Sequence, residues 1–164
     1  MEISENWLRE WVDPPLDSER LASQLTMAGL EVGGSRAAAP ALDGVVVAEV
    51  LAVEPHPDAD KLAVCRVGDG DAEFTVVCGA PNVRAGLKVA LARVGTHLPG
   101  IEIKQSKIRG VVSEGMLCSA AELELAEASG GILELPAQAP PGVPLVDYLE
   151  LADTIIDIDL TPNR

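Results

Sequence analysis

Apolar residues near the N-terminus recur first at the period of a strand and then at the period of a helix. Met1–Ser4 alternates apolar and polar residues, which predicts a short strand. Trp7 and Trp11 stand four residues apart and share one face of a helix predicted over Asn6–Val12. We expect them to anchor the core, and a binding platform is the alternative. Because proline lacks the amide hydrogen that a helix needs, Asp13-Pro14-Pro15 would end this helix.

A second helix is predicted over Ser18–Ala28, where apolar residues recur at helical spacing. Asp17 suits its N-cap because a carboxylate accepts hydrogen bonds from the first-turn amides, and Gly29 suits its C-cap because it tolerates a positive φ. A strand over Leu30–Arg36 follows, and the small residues from Ala37 to Pro40 are typical of a linker.

From Gly44 the pattern changes to short, valine-rich strands separated by glycine and proline turns. The predicted strands are Val45–Val53, Leu62–Val67, Phe74–Val77, Lys88–Val94, Ile101–Lys104, Ile108–Val112 and Ile132–Leu135. The aspartates of Gly68–Asp71 do not have the spacing of a calcium loop, so this segment predicts a hairpin turn. A short helix is predicted over Ser119–Ala126 and a loop over Pro136–Pro144. Five or more short strands at this spacing predict a mainly β fold built on a small barrel.

Apolar and polar residues alternate strictly again over Thr154–Leu160, outside the barrel segment, which predicts a strand. We predict that this strand pairs with the N-terminal elements. Residues 1–39 and 152–164 would then form one small, discontinuous α/β domain, with the barrel of residues 40–151 inserted into it. Nothing in the last four residues, Thr161–Arg164, would close a fold, which indicates a truncated part of a longer protein.

Composition narrows the class of protein. Apolar residues make up 48% of the chain, enough for a packed core. No apolar run is long enough to span a bilayer, and Met1–Trp11 lacks the regions of a secretory signal, so we expect a cytoplasmic protein without membrane contact. Cys65, Cys78 and Cys118 lie in apolar patterns, which predicts reduced core thiols. Without a CxxC motif, a zinc site is not expected.

Charge is distributed unevenly along the chain. Residues 84–110 carry six basic residues and one acid, a net charge of +5 in a chain whose total is −14. A basic island in an acidic protein is a candidate anion-binding face. On an extended strand, Lys107 and Arg109 would share a face and present two cations to phosphates, with Lys104 and Ser113 nearby. Charge alone leaves open a solvated basic face that binds nothing.

The scarcity of aromatic side chains limits what this island can bind. The chain contains only Trp7, Trp11, Phe74 and Tyr148, whereas single-strand binding by stacking needs several aromatics on one face. We therefore predict that any nucleic acid is held through its backbone and shape. Two isolated histidines and the lack of a GxxxxGK[ST] loop predict no catalytic site.

A second motif, His56–Leu62, directly follows the first barrel strand. Its prolines would bend the chain out of the strand, Asp58 and Asp60 could accept hydrogen bonds from nearby amides, and Lys61 would project near the barrel mouth. The alternative is a loop that these residues stabilise and that binds no ligand.

Together these motifs resemble a known family. HPDADKL and KIRGVVSEGMLCS resemble the tRNA-binding domain of bacterial phenylalanine–tRNA ligase β subunits, methionine–tRNA ligases and free-standing tRNA-binding proteins. Three further segments, Ser4–Val12, Val77–Val83 and Asp157–Arg164, are similar to the phenylalanine–tRNA ligase β subunits in particular. The resemblance covers essentially the whole chain.

The resemblance implies an OB-fold, a five-stranded barrel, inserted into a small α/β domain. It implies the N-terminal part of a β subunit that, with an α subunit in an α2β2 heterotetramer, attaches phenylalanine to its tRNA using ATP and Mg²⁺. The catalytic site would belong to α, and this part would bind tRNA, not DNA, and need no cofactor of its own. The candidate tRNA contacts are Lys104, Lys107, Arg109, Ser113, Met116, Lys61, Arg84 and Lys88.

Two alternatives remain beside this interpretation. Ser113 and Met116 match the family motif, but they could support the fold instead of touching RNA. The domain as a whole could be a structural module that packs within the heterotetramer and makes little tRNA contact. The extra N-terminal helices disfavour a free-standing tRNA chaperone.

Overall fold

A computed structural model describes residues 1–160 of the chain. Its contacts divide the chain into two compact units, Pro40–Leu149 and the pair of segments formed by Met1–Ala39 and the residues from Glu150 onward. These bounds lie within two residues of the predicted domain limits. The predicted features of Thr161–Arg164 lie outside the described residues.

Strands predominate over helices. The strands, in chain order, are β1 (Glu2–Ser4), β2 (Glu31–Ala37), β3 (Val45–His56), β4 (Ala59–Gly68), β5 (Glu73–Cys78), β6 (Lys88–Arg93), β7 (His97–Leu98), β8 (Ile101–Glu102), β9 (Ser106–Ile108), β10 (Val111–Ser113), β11 (Gly115–Leu117), β12 (Glu134–Leu135) and β13 (Thr154–Asp159). The helices are α1 (Glu5–Trp11), α2 (Ser18–Met27) and α3 (Leu145–Tyr148).

The first unit is a three-stranded antiparallel sheet with two helices. β13 lies between β1 and β2, which confirms the predicted pairing of the last strand with the N-terminal elements. Leu21 of α2 packs with Ile156 and Ile158 of β13 to form the buried centre. Helix α2 begins at Ser18 as predicted, because the Asp17 carboxylate accepts from the Arg20 amide. It ends at Met27 with Ala28 as its C-cap, one residue before the predicted cap Gly29, which adopts a φ of +88°.

The two tryptophans of α1 do not anchor the core, so that prediction is wrong. Trp7 is 56% exposed and Trp11 is 78% exposed. The inward face of the helix instead carries Leu8 and Glu5, whose carboxylate accepts hydrogen bonds from Arg9 and Ser18. Spacing shows that two residues share a helix face, but the capping and ion-pair contacts determine which face turns inward.

The second unit is an OB-like barrel, which confirms the predicted mainly β fold. Its sheet has the order β11-β6-β3-β4-β5, and β12 adds to β6. The long strand β3 pairs with β6 along its first half and with β4 along its second half, with a bulge between Val50 and Ala52. Val50, Cys65 and Leu91 are among the residues fully buried inside.

Hydrogen bonds between β5 and the residue before β11 bring the two edges of this sheet together. The Glu114 amide donates to the Thr75 carbonyl at 2.8 Å, and the Glu114 carboxylate accepts from the Thr75 amide at 3.0 Å. This two-point contact nearly closes the barrel.

Two predicted elements of the barrel are wrong. Ile108–Val112 is not a strand but the end of a hairpin, because the chain reverses at Arg109 and Gly110. Ser119–Ala126 forms turns instead of a helix: Ser119 and Glu122 cap each other as at a helix start, but Glu124 adopts a φ of +53° and breaks the pattern. The four-residue helix α3 was not predicted.

Two other local predictions for this unit, the turn and the reduced core thiols, are confirmed. Gly68–Asp71 is a hairpin turn in which the Asp69 carboxylate accepts from the amides of Asp71 and Ala72. The three cysteines are buried and free, and burial raises the pKa of Cys65 to about 11 and that of Cys118 to about 12, so both stay protonated at neutral pH. None of the helices in residues 1–160 has the length and apolar character needed to cross a membrane.

Candidate nucleic-acid interface

The segment Ser106–Ser113, here called the basic hairpin, carries Lys107 on its first strand and Arg109 at its tip. β9 and β10 pair antiparallel, with Ile108 opposite Val111. Arg109 and Gly110 both have positive φ, +45° and +92°, which is the geometry of a tight two-residue hairpin turn. The expectation that Lys107 and Arg109 share one face of an extended strand is therefore wrong, because Lys107 lies on β9 and Arg109 lies in the turn.

His56 holds the basic hairpin against the loop between β3 and β4. The ring is only 5% exposed. Its Nδ1 accepts from the Asp58 amide at 3.0 Å, so the hydrogen must lie on Nε2, which donates to the Ile108 carbonyl at 3.0 Å. Both ring nitrogens of a neutral imidazole are thus used, one toward each loop.

Arg109 adds a second link between the same two loops. Its Nη1 donates to the Asp58 carbonyl at 3.0 Å, while the side chain stays exposed. A guanidinium has five N–H donors, so this bond leaves others for an anion. Asp58 takes part through its main chain, whereas the sequence predicted a role for its carboxylate as an acceptor. The role of His56 was missed because nothing in its spacing indicates a partner 52 residues away.

The linked loops lie where OB-folds bind oligonucleotides. In that fold the second and third barrel strands and the loops joining strands one to two and four to five form the binding face. Here those strands are β4 and β5, and the loops are residues 57–58 and 94–114. Lys61, exposed at the start of β4, follows the first of these loops by three residues, and the basic hairpin belongs to the second.

Most of the basic island is neutralised within the fold. Arg84 pairs with Glu134, Lys88 with Glu49, Arg93 with Asp69 and Lys104 with Glu102. Lys107, Arg109 and Lys61 form no ion pair with any acid in the part of the chain that the structure describes. Of the six cations of the island, Lys107 and Arg109 alone lack an ion pair within residues 1–160, so the +5 counted along the sequence overstates the charge available to an anion.

Arg84 and Lys88 do not belong to the basic hairpin: Arg84 lies in the loop before β6, and Lys88 is the first residue of β6. Arg84 pairs with Glu134 of β12, and Lys88 stands opposite Leu135 of the same strand. The Lys88 side chain is only 13% exposed. A role for these two residues as outer contributors stays a prediction, and their ion pairs would have to open before they could bind a phosphate.

Ser113 occupies a structural position. It is 3% exposed, and its hydroxyl accepts from the Val77 amide and donates to the Gly115 carbonyl, both at 3.1 Å. At Gly115 an added Cβ would lie 2.8 Å from the Ala92 carbonyl oxygen, so only glycine fits. The motif that carries the family resemblance thus closes the barrel, and the geometry favours the fold-supporting role left open for Ser113.

An apolar groove of about 380 Å³ lies between the basic hairpin, β8 and β11. Its lining includes Ile101, Ile103, Ile108 and Met116, and Lys104 contributes to its rim. Met116 is half-buried, so it is available to a ligand in the groove while also packing on the fold.

The residues from 1 to 160 include no group of three or more His, Cys, Asp or Glu side chains placed to hold a metal ion. The site's chemistry is that of cationic and hydrogen-bonding groups around an apolar groove.

Comparisons with known proteins agree with the sequence motifs. The chain is 61% identical over 165 residues to the phenylalanine–tRNA ligase β subunit of Hahella chejuensis, 58% identical to that of Coxiella burnetii and 57% identical over 166 residues to that of Legionella pneumophila strain Lens. Each match covers 100% of this chain and 21% of the relative, so the chain spans about a fifth of the length of the curated relatives it matches. The resemblance inferred from the motifs is thereby confirmed.

A solved structure and a family model also match this chain. The crystal structure of a MetRS related protein from Pyrococcus horikoshii superposes with a TM-score of 0.45 at 25% identity, covering 60% of this chain and 85% of that one. The family model described as a putative tRNA binding domain matches residues 45–144. Because this match spans more than half of the chain, the protein belongs to the family of the putative tRNA-binding domain.

Proposed function

We propose that this chain binds tRNA through phosphate contacts made by Lys107, Arg109, Lys61 and Lys104. The observation that supports the proposal most is the exposure of Lys107 and Arg109 on a hairpin beside the OB-fold binding face, without an acidic partner in residues 1–160. Lys104 would exchange its exposed carboxylate partner, Glu102, for a phosphate at small cost, because exposed ion pairs contribute only about 0–1 kcal/mol.

The contacts would be to phosphates more than to base edges. Lysine presents a point charge and arginine a planar fork, both of which suit phosphate oxygens. A chain with a net charge of −14 is repelled by RNA at a distance, so binding would be weak and depend on local approach of the hairpin.

Alanine substitution of the hairpin cations tests this assignment. Lys107→Ala with Arg109→Ala should weaken binding to a tRNA transcript about tenfold or more at low salt, because each charge-assisted hydrogen bond contributes roughly 1.5–3 kcal/mol before compensation. Arg20→Ala with Arg36→Ala is a matched control, since both are exposed arginines of the first unit and the change in net charge is the same. Equal losses for the two pairs would show a general charge effect and remove the hairpin from the interface.

The relatives support a further proposal, which concerns the activity of a longer protein. We propose that the chain is the N-terminal part of a cytoplasmic phenylalanine–tRNA ligase β subunit, which joins an α subunit in an α2β2 heterotetramer and supports ATP- and Mg²⁺-dependent attachment of phenylalanine to tRNA. The isolated chain would have no catalytic site. Assays of phenylalanine-dependent ATP–pyrophosphate exchange should therefore detect no activity with this chain alone, and exchange catalysed by the purified chain would contradict the proposal.

A second candidate function is a structural module that packs against other parts of the enzyme. The exposure of Trp7 and Trp11, together with the net charge of −14, favours it. Trp11→Ser in the full β subunit separates the two functions. Loss of assembly with α and unchanged tRNA affinity of the isolated chain would favour the structural role.

A further inference from the structure

The contact between the basic hairpin and the loop that joins β3 to β4 requires one protonation state of His56. Because Nδ1 accepts from the Asp58 amide while Nε2 donates to the Ile108 carbonyl, the ring must be neutral when both bonds exist. A protonated imidazole carries a hydrogen on each nitrogen and cannot accept a hydrogen bond. Two N–H groups would then face each other 3.0 Å apart, so protonation removes the bond to Asp58.

The surroundings of the ring do not favour a positive charge. His56 is buried, and it forms no ion pair with a carboxylate of residues 1–160. Burying a charge without a partner costs free energy, whereas a ring released into water would be hydrated. The charged residues of the segments that contact His56 are two cations of the hairpin, three residues from the loop and the start of β4, and one acid of β3: Lys107, Arg109, Asp58, Asp60, Lys61 and Glu54.

The base and the tip of the hairpin are held by different contacts. At the base, the Ser113 hydroxyl and the carboxylate of the next residue, Glu114, accept hydrogen bonds from amides of β5. Near the tip, the bonds to the loop between β3 and β4 are those of His56 and Arg109. Protonation of His56 would therefore loosen the tip while the base stays on the barrel.

We propose that His56 is a pH-dependent latch: the neutral ring holds the tip of the basic hairpin in place for phosphate binding, and protonation releases it. This inference rests on the proposed tRNA binding by Lys107 and Arg109 and adds a regulation of that site. Imidazole side chains gain a proton within about pH 5–8. Because the latched state needs the neutral ring and the released state accepts the proton, acid shifts the equilibrium toward release, by at most about tenfold per pH unit for one proton.

The contribution of the hairpin to tRNA affinity tests the proposal. It is the ratio between the affinities of the unmodified chain and of the variant with Lys107→Ala and Arg109→Ala, both measured on one tRNA transcript at fixed low salt. Acid also neutralises carboxylates elsewhere on the chain, but that change is common to both proteins and cancels in the ratio. We expect a ratio of about ten or more at pH 7.5 to fall about three- to tenfold at pH 5.5, because a smaller fraction of the hairpin is then competent to bind.

Two histidine variants assign the effect to one ring. Gln at position 56 has no titrating group and can still donate to the Ile108 carbonyl, so in His56→Gln the ratio should be the same at pH 7.5 and pH 5.5. His97→Ala is the matched control, because it removes the other histidine of the chain, which is exposed on β7. This variant should keep the full pH dependence.

Amide signals in ¹H–¹⁵N NMR spectra follow the latch without RNA. The signals of Asp58 and of residues 107–111 should shift together between pH 7.5 and pH 5.5. Those of fully buried barrel residues such as Val67 should stay in place, which shows that the barrel remains folded.

The outcomes separate this inference from the function on which it rests. Hairpin amides that do not respond to pH, or that respond equally in His56→Gln, would overturn the latch, and so would unfolding of the whole barrel with the same midpoint. A ratio that does not depend on pH, together with salt-dependent binding, would overturn the regulation and leave phosphate binding standing. Hairpin amides that titrate in a chain that binds no transcript at low salt would support the release and overturn the proposed function.

Discussion

Removal of His56 should loosen the basic hairpin by an amount that follows from its two hydrogen bonds. His56→Ala leaves the Asp58 amide and the Ile108 carbonyl without the ring that now satisfies them at 3.0 Å each. Each polar group that loses its partner costs about 1–3 kcal/mol, so for the two groups together the free energy of unfolding of the barrel should fall by about 2–6 kcal/mol.

Two conservative variants divide this loss between the bonds. Asn at position 56 can accept from the amide two residues ahead, as His56 does from Asp58, but it cannot reach Ile108. Gln can place an amide nitrogen near the position of Nε2 and keep the bond to the Ile108 carbonyl. Each variant should therefore recover about half of the stability lost in His56→Ala.

Urea unfolding followed by circular dichroism measures these differences, because both tryptophans belong to the first unit and their fluorescence does not report the barrel directly. His97→Ala is the control, since His97 is exposed in the neighbouring strand β7 and its loss should change stability by less than about 0.5 kcal/mol. If His56→Ala also stayed within that margin, the ring would not be the tether, and the reasoning would be refuted.

Three other changes follow from the structure. Gly115→Ala should destabilise the barrel by about 2 kcal/mol or more in thermal unfolding, because the new Cβ would lie 2.8 Å from the Ala92 carbonyl oxygen; a wild-type melting temperature would contradict the packing described. Asp69 responds to pH: burial raises its pKa, but the amides of Ala72 and Asp71 and the Arg93 guanidinium outweigh burial, so the folded-state pKa lies below the ordinary value of 3.8. The stabilising effect of the Asp69 carboxylate is therefore present above pH 3.8 and is lost as pH falls through the lower folded-state pKa. Asp69→Asn should be less stable than the unmodified chain at pH 7, and its stability should depend less on acid. Unfolding curves recorded from pH 2 to 7 would show both effects. Trp11→Ser should change the unfolding free energy of this chain by less than about 0.5 kcal/mol, because the side chain is 78% exposed, and a loss of several kcal/mol would restore the core role predicted from the sequence.

The sequence predicted the barrel well because its strands are regular. Alternation and turn residues locate β3 to β6, and the turn at Gly68–Asp71 follows from a cluster of glycine and aspartate between two strand patterns. The pairing of β13 with the N-terminal strands β1 and β2 could also be predicted, because a strand outside the barrel pattern needs a partner. These features depend on local periodicity, which a sequence displays directly.

The candidate site was harder to predict because it depends on contacts between distant residues. His56 meets Ile108 across 52 positions, and Glu114 meets Thr75 across 39. The basic island looked like a single patch, but its arginines at 84 and 93 pair with Glu134 and Asp69, acids that lie outside the island. Counting charge along the chain does not show which cations the fold neutralises.

The hairpin turn illustrates the same limit at short range. Ile108–Val112 has the composition of a strand, yet Arg109 adopts a φ of +45° that a side chain rarely takes. Its hydrogen bond to the Asp58 carbonyl helps to hold it there, and that partner lies in another loop. Tertiary contacts thus overrode the local preference.

The salt dependence of tRNA binding tests the central claim most directly. For three to four phosphate contacts, the logarithm of the affinity of the unmodified chain should fall with the logarithm of salt concentration with a slope of about −2 to −4. In the variant with Lys107→Ala and Arg109→Ala the slope should become less negative by about 1.4–1.8, because two contacts are lost. An unchanged slope in that variant would contradict the claim that the basic hairpin holds the phosphate backbone.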